Sequence, residues 1–172
     1  MTLRLALLIA VTPLAAVAAG SAPTTPTQTT EQCTGTQVYD AARKACIDSR
    51  DSRLDDATRI EGARELATYG RADDALRVLA TLSDGGTSDA LTVRGYATRK
   101  AGDFAGGVAL YEAALALDPE NWLARSYLGQ GLLEAGDRAG AEAQLQLIRA
   151  GGARGTWPET ALVDAFGGRS SY

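Results

Sequence analysis

Residues 95–119 read GYATRKAGDFAGGVALYEAALALDP, and the turn inside them, Ala101-Gly102-Asp103-Phe104-Ala105-Gly106-Gly107, decides the fold. It recurs as Ala135-Gly136-Asp137-Arg138-Ala139-Gly140-Ala141, and in weaker form as Tyr69-Gly70-Arg71-Ala72-Asp73-Asp74-Ala75. Gly102 and Gly136 stand 34 residues apart, as do Gly95 and Gly129, Gly107 and Ala141, and Tyr111 and Leu145; Gly70 precedes Gly102 by 32. Self-similarity at such a period marks stacked supersecondary units. The apolar positions around each turn are spaced for helices: Leu76, Leu79 and Ala80; Val108, Tyr111 and Leu115; Leu145 and Ile148. The spacing predicts helices over 60–68, 91–100 and 123–134 before the turns, and over 73–82, 104–117 and 139–149 after them. Glycine closes the first helix of each pair where positive φ is needed, and Asp118-Pro119 ends the second helix of the central pair.

No single pair of such helices buries its own apolar face, so the pairs must stack and the end units need polar outer surfaces. Small residues at Ala63, Gly95 and Gly129 let paired helices approach, and Tyr111 and Leu145 fill the space between neighbours. Gly95…Gly102-Asp103-Phe104…Gly107…Tyr111…Ala114-Leu115…Leu117-Asp118-Pro119 resembles a tetratricopeptide repeat. Residues 122–150 resemble a second, through Leu128-Gly129, Gly136-Asp137, Ala141, Leu145 and Ile148; residues 56–82 resemble a weaker third, through Ala63, Leu66, Gly70, Ala75, Leu79 and Leu82. The likeness, to family members of the exported bacterial type, implies an all-α chain. Its repeat units fall at 55–86, 88–121 and 122–152, in a right-handed superhelix of about three helix pairs. Leu162 and Phe166 continue the phase, 34 residues after Leu128 and Leu132, so 156–168 is expected to be a capping helix, with a tail at 169–172.

The resemblance also implies that the first helix of each pair lines a concave groove. Its expected exposed residues there are Arg64, Tyr96, Arg99, Lys100, Ser126, Gln130 and Glu134. Tyr96, Arg99 and Lys100 share a helix face by their three- and four-residue spacing. Two cations, a tyrosine and an amide suit a peptide carboxylate or an acidic segment. The opposing expectation is a solvated face without a ligand. Arg94 and Arg125 depart from the pattern, because each occupies a position where the repeat usually carries a large apolar residue. Their stems can pack while their heads reach an acid, with Asp103, Glu112 or Glu120 as the expected partner, since a buried unpaired guanidinium is costly; the rival reading is a functional role for both. Thr98 similarly replaces an apolar residue. Trp122 and Trp157 bracket the last repeat and are expected to pack or cap rather than to form a ligand platform.

Ahead of the repeats, residues 1–19 carry Arg4, the apolar run Leu5 to Val17 and an Ala16-Val17-Ala18 end, which together read as a secretory signal peptide. The run is short for a bilayer span, so no stable membrane insertion is expected after cleavage. Residues 20–32, rich in Pro, Thr and Gln, have no apolar face and read as a disordered tether. Residues 33–54 are expected to be a small cysteine-bridged module and its connection to the repeats, with 47–54 as the charged connecting stretch. In an oxidising compartment Cys33 and Cys46 suit a disulfide closing a loop or small hairpin, with Val38 and Tyr39 as its apolar centre. A redox role would favour C-x-x-C at a helix start.

The composition narrows the function. Histidine is absent from all 172 residues, which removes the commonest general base and zinc ligand. Two cysteines alone cannot supply a four-thiolate metal site. A net charge of −4 opposes broad nucleic-acid binding. No serine has a histidine to activate it, and the pairs Asp55-Asp56 and Asp73-Asp74 suit helix starts rather than a calcium loop. No catalytic residue, metal or cofactor is expected. The expectation is a periplasmic or secreted scaffold that binds a protein or peptide with an acidic or carboxylate feature through its groove. The alternative is a structural or assembly subunit of a cell-envelope complex, associating through its end or convex surface.

Overall fold

The computed structural model describes Pro26 and residues 28–169. The expected signal peptide, most of the tether and the last three residues of the tail lie outside the described residues. The chain runs α1 (Gln28–Gln32), β1 (Gln37–Asp40), β2 (Ala45–Asp48), α2 (Asp56–Thr68), α3 (Ala72–Leu79), α4 (Ser88–Lys100), α5 (Phe104–Leu117), α6 (Trp122–Glu134), α7 (Arg138–Ala150) and α8 (Trp157–Phe166). The helices α2/α3, α4/α5 and α6/α7 are the three expected pairs, stacked in order, and α8 closes the far end against α6 and α7.

The recurring glycine turn works as its residues dictate. Gly102 and Gly136 sit at φ 100° and 84°, where a side chain would be strained. The residue after each donates its backbone N–H to a carbonyl five positions back, Asp103 to Thr98 (3.1 Å) and Asp137 to Leu132 (2.8 Å), which satisfies the last turn of the first helix. The same two aspartates then cap the next helix by accepting from the N–H of Gly106 and Gly140, both at 2.9 Å. Thr87 and Asn121 cap α4 and α6 in the same way. The helix α3 stops at Leu79, short of the expected 82, and Thr81 and Leu82 follow in a turn.

A core of buried Leu66, Val78, Leu79, Val93, Tyr96, Tyr111 and Tyr127 runs from the first pair into α6, and a smaller one of Leu145, Ile148 and Leu162 lies at the end. At Gly95 a Cβ would come within 2.8 Å of the Tyr111 ring and 3.0 Å of the Gly107 carbonyl, so the close approach of α4 and α5 depends on it. Gly129 is matched to the cap: a Cβ there would meet Leu162 of α8 at 2.7 Å. Arg149 Nε pairs with Glu159 Oε1 at 2.6 Å and the Arg138 guanidinium lies 4.9 Å from the Phe166 ring centre, fixing both ends of α8.

The N-terminal module is a two-stranded antiparallel hairpin with Cys33 bonded to Cys46, Cα–Cα 5.4 Å. It docks on the first pair. Val38, fully buried, occupies the space a side chain at Gly62 would take. Arg71 donates to the carbonyls of Cys33 and Gly35, both at 3.0 Å, and Arg59 donates to those of Ser49 (2.7 Å) and Asp51 (2.9 Å). Two expectations are corrected here. Residues 28–32 are not part of a disordered tether but form α1, because Thr29 is buried and accepts from Tyr39 N–H, and Thr30 N–H donates to Glu65. Nor is the stretch 47–54 only a charged connection: Ile47 ends up in β2 and Leu54 in the core.

Candidate functional site

The expected groove residues come together, but mostly indoors. Neighbouring first helices pack on one another, α2 on α4 and α4 on α6. Tyr96 is fully buried, stacked on Tyr127 at 4.6 Å between ring centres, with its hydroxyl 3.4 Å from Thr68 Oγ1. Arg99 is buried beneath α6, paired with Glu134 Oε1 at 2.6 Å, and its Nε donates to the Tyr111 hydroxyl at 3.4 Å. Burial works against its charge, yet Tyr111 and Glu134 outweigh that cost and hold its pKa above the ordinary arginine value. Burial raises the pKa of Tyr111 itself. Arg64 is buried and paired with Glu61 at 2.7 Å; burial lowers its pKa, and Tyr127 and Glu61 more than offset this. Ser126 is buried and accepts from the buried Gln130 amide at 3.2 Å.

Of the set only Lys100 and Glu134 are exposed; Lys100 Nζ lies 5.5 Å from the Tyr96 ring centre, and partial burial and the Arg99 charge lower its pKa. The expectation of an open cationic face is therefore corrected: the stacking of first helices covers that face, and its guanidiniums already have partners. The expectation for Arg94 and Arg125 is corrected as well. Arg94 donates to the Leu79 carbonyl at 3.4 Å. Arg125 donates to the Pro119 carbonyl at 2.7 and 3.0 Å and to Gln144 at 3.3 Å. Among the described residues neither forms an ion pair. Both are half-buried, and backbone carbonyls and an amide oxygen meet them where a carboxylate was expected.

The open space lies one to two turns nearer the helix starts. A cleft of about 860 Å³ runs along the N-terminal halves of α2, α4 and α6 to the start of α8. Ile60, Val93 and Leu123, one from each first helix, give it an apolar floor, and Trp122 and Trp157 wall its far end. Trp122 packs as expected, against the cluster around Leu145 and Ile148, but both tryptophans also face the cleft. Six carboxylates line the space, those of Asp56, Glu61, Asp84, Asp89, Asp118 and Glu120, against one guanidinium, that of Arg64. Asp56 is held well below the usual carboxylate pKa, first by the Ser83 hydroxyl (2.6 Å) and then by Asp84 N–H (3.0 Å). Asn121 ties the floor together, donating to Ser88 Oγ (2.8 Å) and Thr92 Oγ1 (3.1 Å).

A second cleft, about 810 Å³, lies between the hairpin and α2. Its charges are of both signs, and Arg43 and Arg53 are paired with Asp40 and Asp51. Sequence reasoning missed the first cleft because it looked for charge at the C-terminal halves of the first helices. The signal was present in the repeat register, where Asp89 and Leu123 stand 34 residues apart, as do the caps Thr87 and Asn121.

Residues 99–154 match the family model described as Tetratricopeptide repeat. That stretch spans α5, α6 and α7, and the helix pair ahead of it turns on the same recurrent glycine. Among solved structures the chain is similar to two of MamA, each at 18% sequence identity. One has a TM-score of 0.48, with 64% of this chain and 68% of that chain covered; the other has a TM-score of 0.47, with 64% and 63% covered. No curated protein sequence matches the chain. Among the described residues no helix is long and apolar enough to cross a membrane.

Proposed function

We propose that this is an exported scaffold that holds a protein or peptide segment in the cleft of its first helices. The observation that carries the reading is the cleft itself, an apolar floor contributed by three successive repeats and walled by two tryptophans. Such a floor is what an extended segment with alternating anchors needs. Export is supported by the N-terminal sequence and by the Cys33–Cys46 bond, which suits an oxidising compartment. The cleft presents carboxylates and apolar groups, a lining suited to holding a segment.

A photo-crosslinking residue in place of the exposed Ala57 in the cleft tests this in cells. Protein captured from Ala57, and not from a control position at Leu117 on α5, is expected. The second reading, assembly through the outer surface, rests on exposed Leu117 (61%), Leu147 (46%) and Phe104 (42%). Capture from Leu117 alone would favour it.

A further inference from the structure

The cleft carries a sign that says what it takes. We propose that its occupant is an extended cationic segment bearing at least one apolar or aromatic side chain, an inference that rests on the cleft being the binding face. The floor of Ile60, Val93 and Leu123 favours apolar anchors, while Glu61, Asp89, Asp118 and Glu120 are exposed along its sides. The one lining guanidinium, Arg64, is buried and pairs through Nη2 with Glu61, while its Nε and Nη1 lie buried without a hydrogen-bond partner among the described residues, so one enclosed cation stands against six lining carboxylates. Asp56 is saturated by Ser83, Asp84 and Arg59 and contributes field rather than contact. An acidic partner would bring its charge into this field and find on the lining one buried guanidinium that already shares its charge with Glu61. A cationic one is attracted by the field, and its lysines or arginines can also lie over the faces of Trp122 and Trp157. One guanidinium, that of Arg125, already stands 6.0 Å from the Trp122 ring centre, which shows that the ring accepts a cation on at least one face.

The test measures fluorescence anisotropy of the purified full chain with two short labelled peptides. One alternates Lys with Leu and Trp; the other has Glu at every Lys. The cationic peptide is expected to bind at least about tenfold more tightly than the acidic one, with affinity falling as salt rises from about 50 to about 300 mM. The near-isosteric variant Asp89→Asn/Asp118→Asn/Glu120→Gln should weaken the cationic peptide by about fivefold or more, whereas Glu112→Gln, exposed on α5 outside the cleft, should leave it within about twofold. Should the triple variant lose its fold, Glu120→Gln alone, at an exposed position before α6, is read instead and should weaken binding by about threefold or more. Equal or tighter binding of the acidic peptide, no binding of the cationic one, or an affinity indifferent to these substitutions would overturn the inference. Capture from Ala57 would still stand in each of those cases. Loss of that capture strikes the cleft reading itself.

Discussion

Arg99 shows most plainly what separates sharing a helix face from being available on it. Its spacing from Tyr96 and Lys100 is a helical-face argument and holds, but spacing says nothing about how deeply the next repeat covers that face. Here α6 covers Arg99, and the guanidinium keeps its charge because Glu134 and Tyr111 meet it. Removing the acid alone leaves a buried cation short of a partner, whereas removing both charges leaves no buried charge to satisfy. Glu134→Gln should therefore cost about 1–3 kcal/mol, and Arg99→Met/Glu134→Gln should cost less than Glu134→Gln alone in denaturant melts. A double variant weaker than either single would contradict this. Asp56 gives a pH prediction. Its folded pKa lies well below the ordinary 3.8, so the unfolded chain binds the proton first. The stabilisation is complete above the unfolded value and is lost as pH falls from about 4 toward the lower folded value. Asp56→Asn should flatten the loss of stability between about pH 5 and about pH 3, measured by urea unfolding.

The elements were the most legible level of the sequence. Helix starts, glycine turns and the cysteine bracket all follow from local chemistry: a capping side chain, a positive φ, an oxidising compartment. The pairing α6/α8 was legible as phase but not as contact, since nothing local shows that Leu162 seats on Gly129. Gly129→Ala should push α8 away and cost about 1–3 kcal/mol, and the cost should shrink in a Leu162→Ala background, as thermal melts of the four chains would show. The turn of helix at 28–32 was illegible for a related reason. Its residues have no apolar face, and its order comes from Glu65 and Tyr39, far away in sequence. At the other end, Cys33→Ala/Cys46→Ala removes the closure of the hairpin that Val38 seats on Gly62. Loop closure of this size is worth about 3 kcal/mol. In a stack where each unit contacts only its neighbours, that loss should concentrate in the hairpin and α2, with amide exchange in α6 to α8 little changed.

At the scale of the molecule, three helix pairs with a hairpin at one end and a single helix at the other bury what no pair could bury alone. The same stacking aligns the starts of three first helices and α8 around one cleft. That cleft was the least legible feature, because its floor, its walls and its carboxylates are each ordinary within their own repeat and become a site only by juxtaposition. The acids at helix starts have a local reason, favourable interaction with the helix dipole, and this masked their collective effect. The central claim is that this cleft, rather than the outer surface, holds a partner. Hydrogen–deuterium exchange of the full chain, with and without the protein captured from Ala57, tests it most directly. Slowed exchange is predicted in 56–64, 87–93, 120–124 and 155–158, with α5 unchanged; slowing confined to α5 and α7, with those segments unaffected, would contradict it.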